Sequence, residues 1–358
     1  MTQFKQNWDA PAQTKPIVII GTGGIVTDAH LPAYKKAKFE VEGIYDLDIN
    51  RAATVAKEWN VKSVYSSIED AVSLGNDVIY DLALPPSAIS QVLKQLPDEA
   101  AVLIQKPMGE NFTQAKEILM LCQSKKLSSA VNFQLRFSPQ MLAVKDIIGQ
   151  GLLGEILEVE VHLNVNTPWS LFPFLRKLQR VEIAVHSIHY LDLIRAFIGE
   201  PNSVFAKTMA DKRNPEFAQT RTSTILDYGD DLRCLMSINH NHIYGNKFQA
   251  SNIRIEGSKG AIHAQIGINL NYPKGEPDEL WLASDGADWQ QIQLAGEWFP
   301  DAFIGTMSNL QRVVSGEDSV LVSSTEDALG TMALVEACFI ANKQQGTKLP
   351  SLNRQFYH

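Results

Sequence analysis

The chain has 358 residues, of which 45% are hydrophobic and 20% are charged, and its formal net charge is −8. This composition is typical of a soluble globular protein, and this length predicts two domains that each bury a core. An acidic chain without a basic run is not expected to bind nucleic acid, and its apolar runs fall short of the ~20 residues that cross a membrane.

The cysteines and the N-terminal residues bear on location. Cys122, Cys234 and Cys338 lie far apart and form no CxxC pair, so we expect buried or free thiols in a reducing compartment. Residues 1–15 are polar and lack the apolar core of a signal peptide, so we treat them as an N-terminal extension. Both observations predict a cytoplasmic protein.

The first regular elements are a strand, a glycine turn and the start of a helix. Ile17-Val18-Ile19-Ile20 is apolar and mostly β-branched, which predicts a buried parallel strand. In the turn that follows, Gly21-Thr22-Gly23-Gly24-Ile25, the glycines allow the backbone to approach a pyrophosphate at the helix N-terminus. This order of elements predicts a dinucleotide site.

Asp46 closes the next apolar run, 41–45, and stands about 20 residues beyond the turn, where a carboxylate meets the adenosine ribose. A carboxylate there accepts hydrogen bonds from the ribose and repels a 2′-phosphate, so we expect NAD, with NADP disfavoured. Arg51 lies close enough in sequence to weaken that preference. The alternative interpretation makes Asp46 an ordinary carboxylate at a helix N-terminus.

Strand-like and helical runs alternate up to about residue 135. We predict strands at 17–20, 41–45, 78–83, 101–104 and 130–133. We predict helices between them, including 50–59, 87–96 and 113–122. This alternation is typical of a parallel sheet covered by helices on both faces. Residues 16–135 are therefore predicted to form an α/β Rossmann domain that binds NAD(P).

Residues 136–350 have a different pattern. The run 156–166 alternates apolar and polar residues strictly, which predicts a long strand with one buried face. We predict further strands at 203–210, 221–228, 231–239, 252–256, 261–266, 279–284 and 290–294, and helices at 181–198, 302–315 and 325–344. The second domain is thus predicted to be α+β, with a large, mostly antiparallel open sheet, and to bind substrate. An open sheet leaves a face for a partner subunit, so we expect a homodimer or homotetramer.

Gln105-Lys106-Pro107 follows the predicted strand 101–104. Ligands of open α/β sheets bind at the carboxyl ends of the strands. An ammonium group there is placed to bind a substrate hydroxyl and to stabilise a developing alkoxide. The alternative is a solvated surface lysine, the usual environment of this residue.

Glu182, His186 and His189 fall on one face of the predicted helix 181–198. In one interpretation His189 takes a proton from a substrate hydroxyl, because imidazole is the natural acid–base group near neutral pH. In a second the three residues hold a metal, although three ligands from one helix rarely converge on one ion. In a third His189 is a buried structural residue. We favour the first and predict no metal site.

These motifs together resemble the glucose–fructose oxidoreductase/inositol dehydrogenase (Gfo/Idh/MocA) family. The resemblance covers about residues 20 to 350. It rests on the glycine turn, Asp46, Gln105-Lys106-Pro107 in place of Glu-Lys-Pro, Asn132-Phe133-Gln134-Leu135-Arg136-Phe137, the run from His189 to Arg195 with Gly199-Glu200-Pro201 after it, and a closing helix. It implies a Rossmann domain, an oligomerising open-sheet domain and hydride transfer between a nicotinamide and a sugar or polyol carbon. The family's catalytic lysine and histidine correspond to Lys106 and His189.

Two positions depart from the family pattern. The family often has aspartate four residues before the histidine, where this chain has Val185, so the carboxylate that orients the histidine is missing. We expect Glu182 or His186 to replace it. Gln105 in place of glutamate removes a charge near the cofactor ribose.

The sequence thus predicts an NAD-dependent oxidoreductase that acts on a CH–OH group of a sugar, sugar acid or cyclic polyol. The alternative, which Val185 favours, is a sensor or regulatory protein of sugar metabolism that binds dinucleotide without turnover. The predicted catalytic residues are Lys106, His189, Glu182 and His186. The predicted cofactor residues are Gly21, Gly23, Gly24, Ile25, Asp46, Leu84, Pro85, Gln105, Lys106 and Asn132. The predicted substrate residues are Lys106, Arg136, Trp169, Arg176, His189, Asp192, Trp298 and Asp301.

Overall fold

The computed structural model describes residues 4–350. The first residues of the predicted N-terminal extension, 1–3, lie outside the described residues. Within 4–350 the strands form two separate sheets, one of six strands and one of eight. None of the helices in this range is both long and apolar enough to span a bilayer.

The first sheet is parallel throughout. Its strands are β1 (Ile17–Ile20), β2 (Val41–Tyr45), β3 (Ser63–Val64), β4 (Ile79–Leu82), β5 (Ala101–Ile104) and β6 (Ser128–Val131). Their order is β3-β2-β1-β4-β5-β6, which is the doubly wound Rossmann order. Five of the strands were predicted; β3 was missed because two residues are too few to show a pattern. Every residue of β1, β4 and β5 is buried, because helices cover both faces.

Four of the six helices around this sheet begin at a residue whose side chain caps the first turn. The six helices are α1 (Leu31–Ala37), α2 (Ile49–Trp59), α3 (Ile68–Val72), α4 (Ile89–Leu93), α5 (Phe112–Ser124) and α6 (Pro139–Gly149). A π-helical turn, Val26–His30, precedes α1. The Asp48 side chain accepts a hydrogen bond from the first turn of α2, and that of Asn111 does the same for α5.

The second sheet is antiparallel except at one pair. Its strands are β7 (Ile156–Asn164), β8 (Ser203–Met209), β9 (Arg221–Asp227), β10 (Arg233–Asn239), β11 (Ala250–Gly257), β12 (Gly260–Gln265), β13 (Glu279–Ser284) and β14 (Gln290–Ile292). Their order is β14-β13-β12-β11-β7-β10-β9-β8, with β7 and β10 parallel. Val159, Val161 and Leu163 of β7 are buried as the alternation predicts. The predicted fold class is confirmed.

Three further helices lie in the second half of the chain. They are α7 (Ile188–Ile198), which follows a π-helical turn at Ile183–Ser187, α8 (Asp301–Val314) and α9 (Thr325–Lys343). Phe303 and Met307 of α8 belong to the same buried cluster as Ile17 and Ile19 of β1. The predicted domain boundary at residue 135 stays a prediction. Helix α8 follows that boundary in sequence but packs against the first sheet, because its apolar face completes the core of the Rossmann domain.

Candidate active site

The glycine turn after β1 is tightly packed on one side and open on the other. Gly21 has φ +100°, and a Cβ there would lie 2.4 Å from the Ala83 carbonyl oxygen, so only glycine fits. The same Cβ would lie 3.3 Å from the side chain of Leu84. Gly23 and Gly24 are exposed, and a Cβ on Gly23 would meet nothing within 4 Å. The turn therefore presents free backbone beside a helix start, as a pyrophosphate site requires.

Asp46, directly after β2, is buried and fully hydrogen-bonded. Its Oδ2 accepts from the backbone N–H of Thr22 at 2.7 Å and from the Thr22 hydroxyl at 2.8 Å. Its Oδ1 accepts from the backbone N–H of Asp48 at 2.8 Å and from the Arg51 guanidinium at 2.6 Å. Burial alone would raise the pKa of Asp46, but these hydrogen bonds outweigh it and hold the pKa below its usual value. The interpretation of Asp46 as a helix cap is wrong, because Asp48 caps α2.

The other predicted cofactor residues follow the carboxyl ends of neighbouring strands. Leu84 and Pro85 follow β4, Gln105 follows β5, and Asn132 follows β6. Asn132 is buried, and its Oδ1 has no hydrogen-bond partner in the described part of the chain. A buried acceptor without a partner at a strand end is available to a ligand donor.

Lys106 begins the loop after β5 and reaches the second domain. Its Nζ donates a 2.9 Å hydrogen bond to the backbone carbonyl oxygen of Val185, in the π-helical turn before α7. The Val185 side chain packs against the buried cluster of Trp169 and Phe217. Burial lowers the pKa of Lys106 to about 8. Lys106 is therefore not a solvated surface lysine, and it meets a carbonyl where the family often supplies a carboxylate.

His189 lies in the first turn of α7 and is 8% exposed. Its ring packs edge-to-face on Trp298, with the ring centroids 5.4 Å apart. Burial, assisted by the nearby charge of Lys106, lowers the pKa of His189 well below its usual value, so the ring is neutral at neutral pH. Its Nδ1 has no hydrogen-bond partner within residues 4–350. A neutral imidazole with a free nitrogen can accept a proton.

The structure differs from the prediction that Glu182 or His186 orients His189. The turn at Ile183–Ser187 is π-helical, and its wider winding breaks the spacing expected of an α-helix. Glu182 is fully buried and accepts a 2.7 Å hydrogen bond from the Ser187 hydroxyl. Neither Glu182 nor His186 hydrogen-bonds to His189 in the described structure, so the expected orienting contact is absent there.

His240, directly after β10, is the residue that sequence reasoning missed. Its ring lies on that of His186 with centroids 4.2 Å apart, and its Nε2 is 3.7 Å from Glu182 Oε1. One ligand-type atom from each of these three residues lies within 4.8 Å of the other two. The prediction of no metal site did not anticipate this group, here called the Glu182 cluster. The sequence pattern that could have predicted His240 as a site residue is the pair of histidines in Asn239-His240-Asn241-His242, at the end of a strand.

Arg136 and Asp192 are paired with each other, which corrects their assignment to the substrate. Arg136 Nε and Nη2 donate to the two Asp192 oxygens at 2.5 and 2.6 Å. Thr331 of α9 donates to the same carboxylate at 2.7 Å. The two charged side chains are only 7% and 1% exposed. The pair therefore joins α7 to its neighbours and does not face a ligand.

Asp301 needs a similar correction. Its carboxylate accepts from Lys36 Nζ at 2.6 Å and from the backbone N–H of Glu297 at 3.1 Å, at the start of α8. These contacts hold the helix end and occupy the group that was assigned to a sugar hydroxyl.

The remaining predicted substrate residues occupy different positions. Trp169 is buried, donates from Nε1 to Asn241 Oδ1 at 2.8 Å, and lies beside His240 with the ring centroids 5.9 Å apart. Arg176 is half-exposed and lies over the ring of Phe217. Trp169 therefore packs beside the Glu182 cluster. The assignment of Arg176 to substrate binding stays a prediction.

Comparisons with known proteins agree with this architecture. Residues 15–133 match the model of an oxidoreductase family with an NAD-binding Rossmann fold, and residues 141–263 match the GFO/IDH/MocA C-terminal domain. The D-apiose dehydrogenase of Rhizobium rhizogenes is 25% identical over 340 residues, 90% of this chain and 93% of that protein. An uncharacterized oxidoreductase of Schizosaccharomyces pombe is 27% identical over 219 residues, 58% of this chain but only 57% of that protein.

A solved structure shows the same fold over nearly the whole chain. An oxidoreductase from Agrobacterium radiobacter, in complex with NAD+, L-tartaric acid and magnesium, superposes with a TM-score of 0.76 at 19% identity. The superposition covers 92% of this chain and 96% of that one. With a family match on each half of the chain and the two expected sheets in place, this protein belongs to the Gfo/Idh/MocA family of oxidoreductases.

Proposed function

We propose that this protein is an NAD-dependent dehydrogenase that acts on a CH–OH carbon of a sugar, sugar acid or cyclic polyol. The observation that carries the proposal is the position of Lys106, whose Nζ bonds the Val185 carbonyl four residues before His189 and whose charge helps to lower the pKa of that histidine. Lys106 supplies a partly buried ammonium group, and His189 supplies a buried neutral imidazole within reach of that charge. Together they provide a hydrogen-bond donor for an alcohol oxygen and an acceptor for its proton. The D-apiose dehydrogenase relative supports a sugar-like substrate.

The first domain has the features that a dinucleotide needs. The open backbone at Gly23 and Gly24 would hold the pyrophosphate, and the unpaired Asn132 Oδ1 offers an acceptor at the edge of the sheet. The ribose hydroxyls would reach Asp46 by displacing the half-exposed guanidinium of Arg51 from its Oδ1. When bound, NAD would supply the hydride acceptor for oxidation of the alcohol or, in its reduced form, the donor for the reverse reaction.

The preference for NAD over NADP rests on Asp46. Its hydrogen bonds keep it anionic, and an anion repels a 2′-phosphate. We expect Asp46→Ala to weaken NAD binding and to relax the discrimination by roughly 1–2 kcal/mol, the size of a charge-assisted hydrogen bond. Fluorescence titration of the wild type and the variant with both dinucleotides measures this. Tighter binding of NADP than NAD by the wild type would refute the preference.

In the chemical step, the residues of the chain act on the substrate hydroxyl. His189 accepts the hydroxyl proton on its imidazole, which requires the neutral ring that burial favours. Lys106 gives one N–H to the Val185 carbonyl, so its other two N–H groups can hold the oxygen as negative charge develops. In the reverse direction His189 returns the proton.

Trp298 shapes the same site from the second domain. Its ring covers one edge of His189, and its Nε1 is buried without a partner among the described residues. The indole therefore excludes water from the imidazole and offers an N–H to a substrate hydroxyl. We keep Trp298 as a substrate residue on these contacts.

Turnover of a substrate panel tests the proposal. The panel contains aldoses, sugar acids and cyclic polyols with NAD, followed by the absorbance of the reduced nicotinamide. His189→Ala and Lys106→Ala should each lower kcat by roughly 10²–10⁴ and leave NAD affinity nearly unchanged. His162→Ala, on the exposed face of β7, is the matched control and should keep wild-type turnover.

Two results would contradict the proposal in different ways. Unchanged turnover of an identified substrate by His189→Ala would end the assignment of His189 as the base. Tight NAD binding without turnover of any panel member would favour the non-catalytic sensor that Val185 suggests.

A further inference from the structure

We infer that Glu182, His186 and His240 form a binding site for one divalent metal ion of the zinc class. This inference goes beyond the proposed dehydrogenase function, whose proton and hydride steps need no metal. It also stands apart from it experimentally, because metal binding can be measured without substrate or dinucleotide.

The cluster is assembled from two parts of the second domain. Glu182 is the N-cap residue of the π-helical turn before α7 and His186 lies within that turn, whereas His240 follows β10, which pairs in parallel with β7. The two imidazole rings lie 4.2 Å apart, and the ligand-type atoms of all three residues are within 4.8 Å of one another. Movements of about an ångström would bring these atoms to zinc-ligand distances of ~2.0–2.2 Å.

Each of the three residues has a buried polar atom that lacks a hydrogen-bond partner within residues 4–350: Glu182 Oε2, His186 Nδ1 and His240 Nε2. Buried polar atoms are almost always satisfied, so three such atoms in one cluster require an explanation. A proton shared between Glu182 and His240 would satisfy two of them and leave His186 unpaired. One metal ion accepts a lone pair from all three.

The charge balance points the same way. The Glu182 carboxylate is 0% exposed, and in the described structure no lysine or arginine forms a salt bridge with it. A buried carboxylate of this kind needs a nearby cation. A divalent ion at the centre of the cluster supplies that positive charge.

Hydrogen bonds behind the cluster hold two of the ligands in position. His240 Nδ1 lies 2.9 Å from the Thr167 hydroxyl, and Glu182 Oε1 accepts from Ser187 at 2.7 Å. Metal-binding histidines and carboxylates typically have such partners on their far side, which fix the ring and direct the free atom to the ion.

The ligand types select the metal. Imidazole nitrogens suit zinc and its neighbours in the first transition row, whereas magnesium and calcium prefer oxygen ligands. Three protein ligands leave the fourth tetrahedral position open, as in catalytic and unlike structural zinc sites. That position would take an oxygen ligand, either water or a hydroxyl group.

Zinc binding to the full-length protein tests the site. Protein stripped with EDTA is titrated with ZnCl2 by calorimetry, and bound zinc is counted by mass spectrometry after desalting. We expect one equivalent of zinc and a visible spectrum of tetrahedral Co2+ when cobalt replaces it. Equal concentrations of MgCl2 should give neither heat nor retained metal.

Matched variants decide whether this cluster is the site. His240→Gln and Glu182→Gln should each weaken zinc affinity at least roughly 100-fold, and Thr167→Val, which removes only the supporting hydrogen bond, by about 10-fold. His162→Gln makes the same exchange on an exposed strand and should bind zinc as the wild type does. Circular dichroism identifies any variant that fails to fold, and Thr167→Val then provides the test. Absence of stoichiometric zinc in the wild type, or equal zinc affinity in a folded His240→Gln protein, would overturn the inference.

Discussion

The buried pair Arg136–Asp192 gives a prediction that separates a structural role from a substrate contact. Asp192→Ala removes three hydrogen bonds to the carboxylate, two from Arg136 at 2.5 and 2.6 Å and one from Thr331 at 2.7 Å, and leaves the buried guanidinium only partly paired. Arg136 keeps a contact of 2.7 Å to Asp327 and one of 3.1 Å to the Val322 carbonyl. Breaking a buried ion pair costs about 3–5 kcal/mol. Because two contacts remain, we expect a loss of about 3 kcal/mol.

Thermal unfolding followed by circular dichroism measures this loss. For a chain of this size, about 3 kcal/mol corresponds to a fall of roughly 4 °C in Tm. Below that temperature kcat and KM should stay within a few-fold of the wild type, because Asp192 does not face the ligand. Asp98→Ala is the control, since Asp98 pairs with Lys125 at the surface and is 74% exposed. Surface pairs contribute at most ~1 kcal/mol, so its Tm should barely move.

A double variant checks the physical reason. Replacing both Arg136 and Asp192 with leucine removes the unpaired charge, so stability should recover part of the loss caused by Asp192→Ala alone. The reasoning is refuted if Asp192→Ala unfolds at the wild-type temperature but raises KM at least ten-fold. That result would restore the direct substrate contact that the sequence predicted.

Three further predictions follow from the site and the open sheet. The proposed reaction needs neutral His189, so kcat should increase with pH only at acid pH, below the usual histidine pKa of ~6.5. It also needs charged Lys106, so kcat should decrease above pH about 8. A constant kcat up to the ordinary lysine pKa of ~10.4 would contradict this. Gly21→Ala should weaken NAD binding at least roughly ten-fold in titrations because its Cβ would meet a carbonyl oxygen at 2.4 Å, whereas Gly149→Ala, with free space around it, should not. Light scattering should give a dimer or tetramer of the 39.8 kDa chain, and Ile225→Glu on the exposed face of β9 should shift it toward monomer; a wild-type monomer at micromolar concentration would refute an oligomer built through this sheet.

The sequence by itself was sufficient for the features that depend on near neighbours. Strict alternation in β7, apolar runs in the Rossmann strands and the glycine turn each reflect contacts within a few residues, so their patterns are visible in the chain. The position of Lys106 also followed from local order, since the carboxyl end of a parallel strand is where ligands meet this fold. The family motifs predict Lys106 and His189 in one site, and in the structure Lys106 hydrogen-bonds to the Val185 carbonyl, four residues before His189.

Only the tertiary structure decided which polar groups are free. Asp192 and Asp301 carry carboxylates, which can bind sugar hydroxyls. In the fold these carboxylates instead accept hydrogen bonds from Arg136 and Lys36, which are distant in sequence. His240, directly after β10, lies beside Glu182, which precedes α7, and no local pattern specifies this contact. A side chain's chemistry can be read from its residue type. Whether it is free to bind a ligand depends on partners that the fold brings from elsewhere in the chain. A buried polar group without a partner is costly, so most buried polar groups are paired in the folded protein.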